Sequence, residues 1–224
     1  MFSVTTASIA RLASAVRRQA ASRWADAIGF VFFLCLAVWT LKRMPQLGIF
    51  LLPTLAHELF MALAFIIRDR PKEAGASAGA RLAAYAGSFL IFAFFHAARW
   101  WRPEWLIWNP NSQLSGLGVL IWLAGSALVV ASVWSLRYAF SIEPEARRFV
   151  RVGTYRMVRH PIYLGYVLQY SAMWFMYPSA AFALVFAVWI FVTLARMRAE
   201  EMVLTRAFPD YEAYKESTPA LLPL

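Results

Sequence analysis

The residues best suited to chemistry in this 224-residue sequence lie in two short motifs of its C-terminal third. The first runs from Arg159 through His160, Pro161 and Tyr163 to Gly165. Proline suits the first turn of a helix, where its missing N–H costs nothing, so His160 is expected at or near the N-cap. The free N–H groups of a helix start favour an anionic group. The motif therefore predicts an anchor for a polar ligand; the alternative is an ordinary helix start with an interfacial tyrosine.

The second motif is Arg196-Met197-Arg198-Ala199-Glu200-Glu201-Met202-Val203-Leu204, which directly follows an apolar run. Arg196 and Glu200 are four residues apart and share one face of a helix. The adjacent acids Glu200 and Glu201 are able to accept hydrogen bonds from hydroxyl groups or from a cationic ligand. The alternative interpretation is a solvated helix end with a local ion pair of modest value.

A third candidate site is the pair His57 and Glu58, which lies inside an apolar segment. A carboxylate within a membrane is expensive and therefore indicates function by default. The alternative is a hydrogen bond between packed helices.

Several kinds of site are excluded by the sequence. The single cysteine, Cys35, excludes a disulfide framework and a multi-cysteine zinc site, and we predict no metal. Gly116 and Gly118 lie in no soluble βαβ unit, so a Rossmann nucleotide domain is not expected. The net charge of +10 comes from basic residues between apolar segments, which indicates membrane orientation rather than nucleic-acid binding.

Composition shows which elements must position these residues. Hydrophobic residues make up 61% of the chain and charged residues 15%, and the mean hydropathy is +0.55. A chain of this length has no core large enough to hide that excess, so the apolar surface is expected to face lipid. We predict an all-α integral membrane protein of about six (five to six) transmembrane helices. The apolar segments are residues 24–41, 47–67, 82–98, 117–136, 162–177 and 179–195.

The charges between these segments predict the orientation. With the N-terminus inside, 18 of the 22 Lys and Arg residues fall in the inner segments and 4 in the outer loops. This bias follows the positive-inside rule and places both termini in the cytoplasm. Residues 137–161 and 196–224 then lie on the same side. The last two spans, separated by Pro178, form a tight helical hairpin that brings the two motifs together.

The N-terminal segment 1–23 has four arginines and no acid, with apolar residues at helical spacing. It predicts an interfacial amphipathic helix, and a cleaved transit peptide is the alternative. Residues 24–114 are predicted to form the N-terminal transmembrane helices, and residues 115–224 a C-terminal core with a cytoplasmic cofactor pocket.

About half of the chain, residues 115–216, resembles the isoprenylcysteine carboxyl methyltransferase family, which includes phospholipid methyltransferase-like membrane enzymes. The resemblance rests on Gly153-Thr154-Tyr155, the stretch Arg159–Gly165, the stretch Arg196–Leu204 and the aromatic stretch Phe208–Tyr214. The order of these motifs and their place on one side of the membrane make the pattern specific.

The resemblance implies S-adenosylmethionine as cofactor and a lipid or lipid-modified small molecule as methyl acceptor, which enters from the bilayer. Arg196 and Glu200 would be the catalytic pair. Arg196, with His57 and Glu58, would contact the acceptor. The implied cofactor-binding residues are Phe149, Val150, Tyr155, His160, Pro161, Tyr163, Gly165, Glu200 and Glu201.

Two other functions remain open from the sequence. Sterol C14-reductases share a similar hairpin and an Arg-His-Pro-like motif but use NADPH. A small transporter or membrane scaffold would use His57 and Glu58 as a proton-linked or packing pair, although a transport site is expected near the middle of the membrane. The sequence identifies neither the acceptor nor the oligomeric state.

Overall fold

The computed structural model describes residues 26–42, 44, 52–74, 77–101, 113–176 and 179–222. Seven α-helices account for most of these residues: α1 (26–42), α2 (Leu52–Ile67), α3 (Ala78–Trp101), α4 (Gln113–Leu136), α5 (Pro161–Met176), α6 (Ala180–Ala207) and α7 (Tyr211–Ser217). Two 3-10 helices, Arg137–Ala139 and Gly153–Arg156, lie in the connection between α4 and α5. The predicted N-terminal amphipathic helix, residues 1–23, lies outside the described residues.

The helical prediction is confirmed, and among the described helices two are long and apolar enough to cross a bilayer by length and composition. These are the segments Gly116–Ala139 and Ala180–Ala207, of 24 and 28 residues. The helix α2 is apolar but shorter, with 16 residues. The count of six spans stays a prediction.

The helices pack in two pairs. Helix α5 lies mainly against α4, and α6 mainly against α3, while α5 and α6 contact each other less. The α4–α5 contact is close because two glycines meet there: a Cβ on Gly165 would lie 2.6 Å from Val129 Cγ2 and 2.9 Å from the Gly125 carbonyl oxygen. The two helices of the predicted hairpin are therefore neighbours in sequence whose main packing partners are other helices.

A short two-stranded element joins the loop after α2 to the loop before α5. Strand β1 (Glu73–Ala74) pairs antiparallel with β2 (Glu145–Ala146). The ion pair between Arg148 and Asp69 adds a side-chain link between the same two loops. Two loops that the charge count assigned to one side of the membrane are thus in direct contact.

Glycine is required at the start of the second 3-10 helix. Gly153 has φ +61°, a left-handed conformation that side chains disfavour, and a Cβ there would collide with Ser135 Oγ. The turn that follows places Tyr155 in a buried position.

Candidate active site

The start of α5 has the local structure that its sequence predicts. Pro161 is the first helical residue and is fully buried, and the Leu164 N–H donates to the His160 carbonyl at 3.1 Å. His160 is therefore at the N-cap of α5, as expected, and its side chain is 5% exposed. Its ring stacks on Tyr163, with centroids 5.6 Å apart and planes at 27°.

Helix α6 continues twelve residues beyond the predicted end of the last apolar segment, so the second motif belongs to an unbroken helix. This extension carries Glu200 and Glu201 to the start of α5. Their side chains are 20% and 17% exposed, which leaves both accessible to a small molecule.

The two motifs meet through a set of charged and hydroxyl contacts, which we call the carboxylate cluster: Arg159, His160, Tyr163, Arg196, Glu200 and Glu201. Glu201 Oε1 accepts from Arg159 Nε at 2.9 Å and lies 3.0 Å from His160 Nε2. Glu200 Oε1 accepts from the Tyr163 hydroxyl and from Arg196 Nε, the latter at 3.0 Å. Each carboxylate thus has as partners one arginine and one aromatic residue at the start of α5.

The histidine in this cluster donates to a carboxylate through Nε2. A carboxylate only accepts hydrogen bonds, so His160 Nε2 carries a proton toward Glu201. His160 Nδ1 is 3.9 Å from Glu200 Oε2, beyond hydrogen-bond distance. Nδ1 therefore makes no hydrogen bond to either carboxylate of the cluster.

Arg196 is buried and connects several elements through hydrogen bonds. Its guanidinium donates to the Ala84 carbonyl at 3.1 Å, to Ser88 Oγ at 2.8 Å and to the Ile142 carbonyl at 2.8 Å, in addition to Glu200. Arg has five N–H donors, and these contacts use four of them. One donor remains for a ligand oxygen. Of the other four, one bonds Glu200 within α6 and three connect α6 to α3 and to the loop before α5.

Arg159 links the cluster to the segment that follows α7. Its Nη1 donates to the carbonyls of Lys215 and Thr218, at 2.7 and 2.5 Å. The main chain is tied in the same place, because the Arg159 and His160 N–H groups donate to the carbonyls of Pro219 and Ala220, at 2.9 and 3.0 Å. Sequence reasoning did not assign a role to this segment.

Phe149 is the centre of an aromatic group formed with α7. Its ring stacks on Phe208 at 5.9 Å and meets Tyr211 and Tyr214 edge-on at 5.4 and 5.2 Å. The Tyr214 hydroxyl donates to the Tyr155 carbonyl at 2.6 Å. Predicted cofactor residues 149, 150 and 155 are therefore held next to the C-terminal segment, with Val150 partly exposed beside Phe149.

Burial and charge shift several ionisable groups on this side of the protein. Burial raises the pKa of Tyr214 to about 12 and raises that of Tyr155 well above its usual value. Glu201 lies beyond the predicted end of the last span. Burial alone would raise its pKa, but the hydrogen bonds and positive charges of His160 and Arg159 hold it below the usual value. Glu201 is therefore a carboxylate at neutral pH.

The other predicted residues lie elsewhere. His57 Nε2 is 3.1 Å from the Tyr166 hydroxyl, and Glu58 Oε1 accepts from Thr40 Oγ1 at 3.0 Å, so both make contacts between helices. Gly165 packs on α4, where its missing side chain permits the approach of Val129.

A separate open cavity of about 480 Å³ lies beside the cluster, between α6 and α7. It shares Glu201 with the cluster, and its other lining residues are Arg198, Met202, Thr205, Arg206, Glu212 and Lys215. Most of the predicted cofactor residues are not part of this lining.

Comparison with known proteins finds similarity in the part of the chain that contains the carboxylate cluster. The model of the phospholipid methyltransferase family matches residues 114–211, which include both motifs. This match confirms the resemblance of this part of the chain to isoprenylcysteine carboxyl methyltransferase and phospholipid methyltransferase-like membrane enzymes.

Among curated proteins, the chain is similar to the nickel-cobalt-cadmium resistance protein NccN of Alcaligenes xylosoxydans xylosoxydans. The two are 26% identical over 138 residues, which cover 61% of this chain and 60% of that protein. The name of that relative states a resistance and no reaction.

Proposed function

We propose that this protein is an integral membrane methyltransferase that uses S-adenosylmethionine and acts on a lipophilic acceptor, with about six spans and both termini in the cytoplasm. The observation that carries the proposal is the meeting of the two motifs in the carboxylate cluster. Residues some forty positions apart converge in the part of the chain that matches a methyltransferase family.

The chemistry of the cluster fits the proposed cofactor. Glu200 and Glu201 are partly exposed carboxylates, which suit ribose hydroxyls and an ammonium group. The stacked rings of His160 and Tyr163 offer an aromatic surface. When bound, S-adenosylmethionine supplies an electrophilic methyl group.

The protein's own residues then have positioning roles. Tyr163 and Arg196 hold Glu200, and Arg159 and His160 hold Glu201, so that both carboxylates are oriented before a ligand arrives. Displacement at a methyl group is in line, and orientation supplies much of the rate. A carboxylate acceptor needs no general base, and the remaining N–H of Arg196 suits its oxygen.

Isothermal titration calorimetry of the purified protein in detergent tests the proposal with S-adenosylmethionine, S-adenosylhomocysteine and NADPH. We expect the first two to bind. Glu200→Gln and His160→Ala should each weaken binding by about 10- to 100-fold, because each removes one or two charge-assisted hydrogen bonds of about 1.5–3 kcal/mol.

His57→Ala is the matched control, since His57 contacts Tyr166 rather than the cluster. Its affinity should equal that of the wild type. If neither S-adenosylmethionine nor S-adenosylhomocysteine binds, the proposal of a methyltransferase is wrong. Binding of NADPH alone would favour the reductase. Loss of binding in His57→Ala but not in Glu200→Gln would mean that the cofactor site lies in the N-terminal half of the chain.

A further inference from the structure

The cavity between α6 and α7 carries positive charge that the carboxylate cluster does not use. Its lining includes three cations and two acids. Glu201 is paired with Arg159 and His160, and Glu212 with Lys215 at 3.5 Å. In the described part of the chain, Arg198 and Arg206 have no acidic partner, and both are exposed. The cavity therefore has two uncompensated guanidinium groups.

These two arginines lie on one face of α6. Arg198, Met202 and Arg206 follow at intervals of four residues, so their side chains lie along one stripe of the helix. The stripe extends about 12 Å from Arg198 to Arg206, at about 1.5 Å per residue. Met202, 55% exposed, gives the stripe an apolar middle between two charges.

The length of α6 sets the depth of this stripe in a bilayer. Its 28 residues span about 42 Å, whereas hydrocarbon is about 30 Å thick, or about 20 residues. If α6 enters hydrocarbon near Ala180, it leaves near Glu200. Arg198 then lies at the hydrocarbon boundary and Arg206 about 9 Å above it, so the pair brackets the head-group layer.

We propose that this cavity binds the phosphate of an anionic membrane lipid, with the guanidinium groups of Arg198 and Arg206 as paired donors and Met202, midway between them, against the lipid's glycerol. Arginine suits phosphate because its planar fork matches two phosphate oxygens. The cavity's volume of about 480 Å³ accommodates a head group. The proposal rests on the membrane placement of α6 given above and not on methyl transfer.

The test measures thermal stabilisation of the full chain in detergent by short-chain phosphatidylglycerol, short-chain phosphatidylcholine and inorganic phosphate at equal ionic strength. We expect saturable stabilisation by phosphatidylglycerol, a weaker effect of phosphatidylcholine and little effect of phosphate. The double variant Arg198→Gln/Arg206→Gln should bind phosphatidylglycerol at least tenfold more weakly, because two charge-assisted contacts are lost.

Arg81→Gln is the matched control, since Arg81 is an exposed arginine on α3 and lies outside the cavity. It should retain wild-type affinity. The lipid site would be overturned by equal stabilisation with the three additives, by an equal loss of phosphatidylglycerol affinity in Arg81→Gln, or by an unchanged affinity in the double variant. Full stabilisation by phosphate alone would show that the site binds a free anion instead.

Cofactor calorimetry on the same samples separates this proposal from the proposed function. If the protein binds phosphatidylglycerol through these arginines but does not bind S-adenosylmethionine, the lipid site stands and the proposal of a methyltransferase fails. The reverse result retains the methyltransferase alone.

Discussion

Replacing Arg159 with alanine removes the contacts that tie the C-terminal segment to the carboxylate cluster. The side chain is 11% exposed and makes three hydrogen bonds, to Glu201 and to the carbonyls of Lys215 and Thr218. The two carbonyls belong to the last turn of α7 and to its C-cap. Carbonyls at a helix C-terminus have no N–H donors within the helix and favour a cation.

The size of the effect follows from these contacts. A hydrogen bond to a charged group contributes about 1.5–3 kcal/mol, and breaking a buried ion pair costs about 3–5 kcal/mol. The three bonds share one guanidinium, so their contributions are not additive. We expect the docked state of residues 211–222 to lose about 3 kcal/mol, which raises the population of its open state by about 150-fold.

Hydrogen exchange with mass spectrometry in detergent measures this opening. The amides of residues 159–160 and 211–222 should exchange about two orders of magnitude faster in Arg159→Ala, while those of α4 stay protected. Arg159→Lys should be intermediate, because an ammonium keeps the charge but lacks the guanidinium fork. Arg156→Ala is the control, since Arg156 is an exposed arginine of the same loop. Wild-type exchange in residues 211–222 of Arg159→Ala would refute the docking role.

Two further predictions concern packing and pH. Gly165→Ala should lower the melting temperature, with about 1–3 kcal/mol of destabilisation, because the new Cβ would lie 2.6 Å from Val129. The control Gly116→Ala, whose Cβ would have nothing within 4 Å, should leave the melting temperature unchanged. Weaker S-adenosylmethionine binding by Gly165→Ala at an unchanged melting temperature would instead support the predicted cofactor contact. Glu201 has a lowered pKa in the folded state, so its stabilisation is present above its ordinary pKa of 4.5 and is lost as the pH falls through the lower pKa of the folded state. The difference in melting temperature between wild type and Glu201→Gln should shrink below about pH 4.5, and a constant difference down to pH 3.5 would contradict this assignment.

The helices were predictable because hydropathy alone marks them. The apolar run 117–136 ends at the residue where α4 ends, and Pro161 marks the start of α5 as a first-turn proline should. The end of α6 was not predictable from hydropathy. The charged residues after position 195 continue the helix, since Arg, Glu and Met are good helix formers whatever their hydropathy.

The convergence of Arg159, His160 and Tyr163 with the two glutamates was expected from the motifs and the common side of the membrane. The partners of each side chain were not. The pairing of Arg159 with carbonyls 215 and 218 is a contact between a side chain and the main chain, and no residue type in the tail signals it. Likewise, Gly165 reads as part of a motif, yet its contact with Gly125 depends on the packing of α4, which local sequence does not specify.

The division of the helices into two pairs has a consequence for how the proposed lipophilic acceptor would enter the protein. Between α5 and α6, the strong polar contacts lie at the carboxylate cluster, and the remaining contact is made by apolar and aromatic side chains around Phe182 and Trp189. In lipid, an acyl chain replaces such contacts at little cost, because lipid tails are as apolar as the side chains that they displace. For the lipophilic acceptor that we propose, the interface between α5 and α6 would therefore be the route of entry from the bilayer, and the carboxylate cluster would set where its polar end stops.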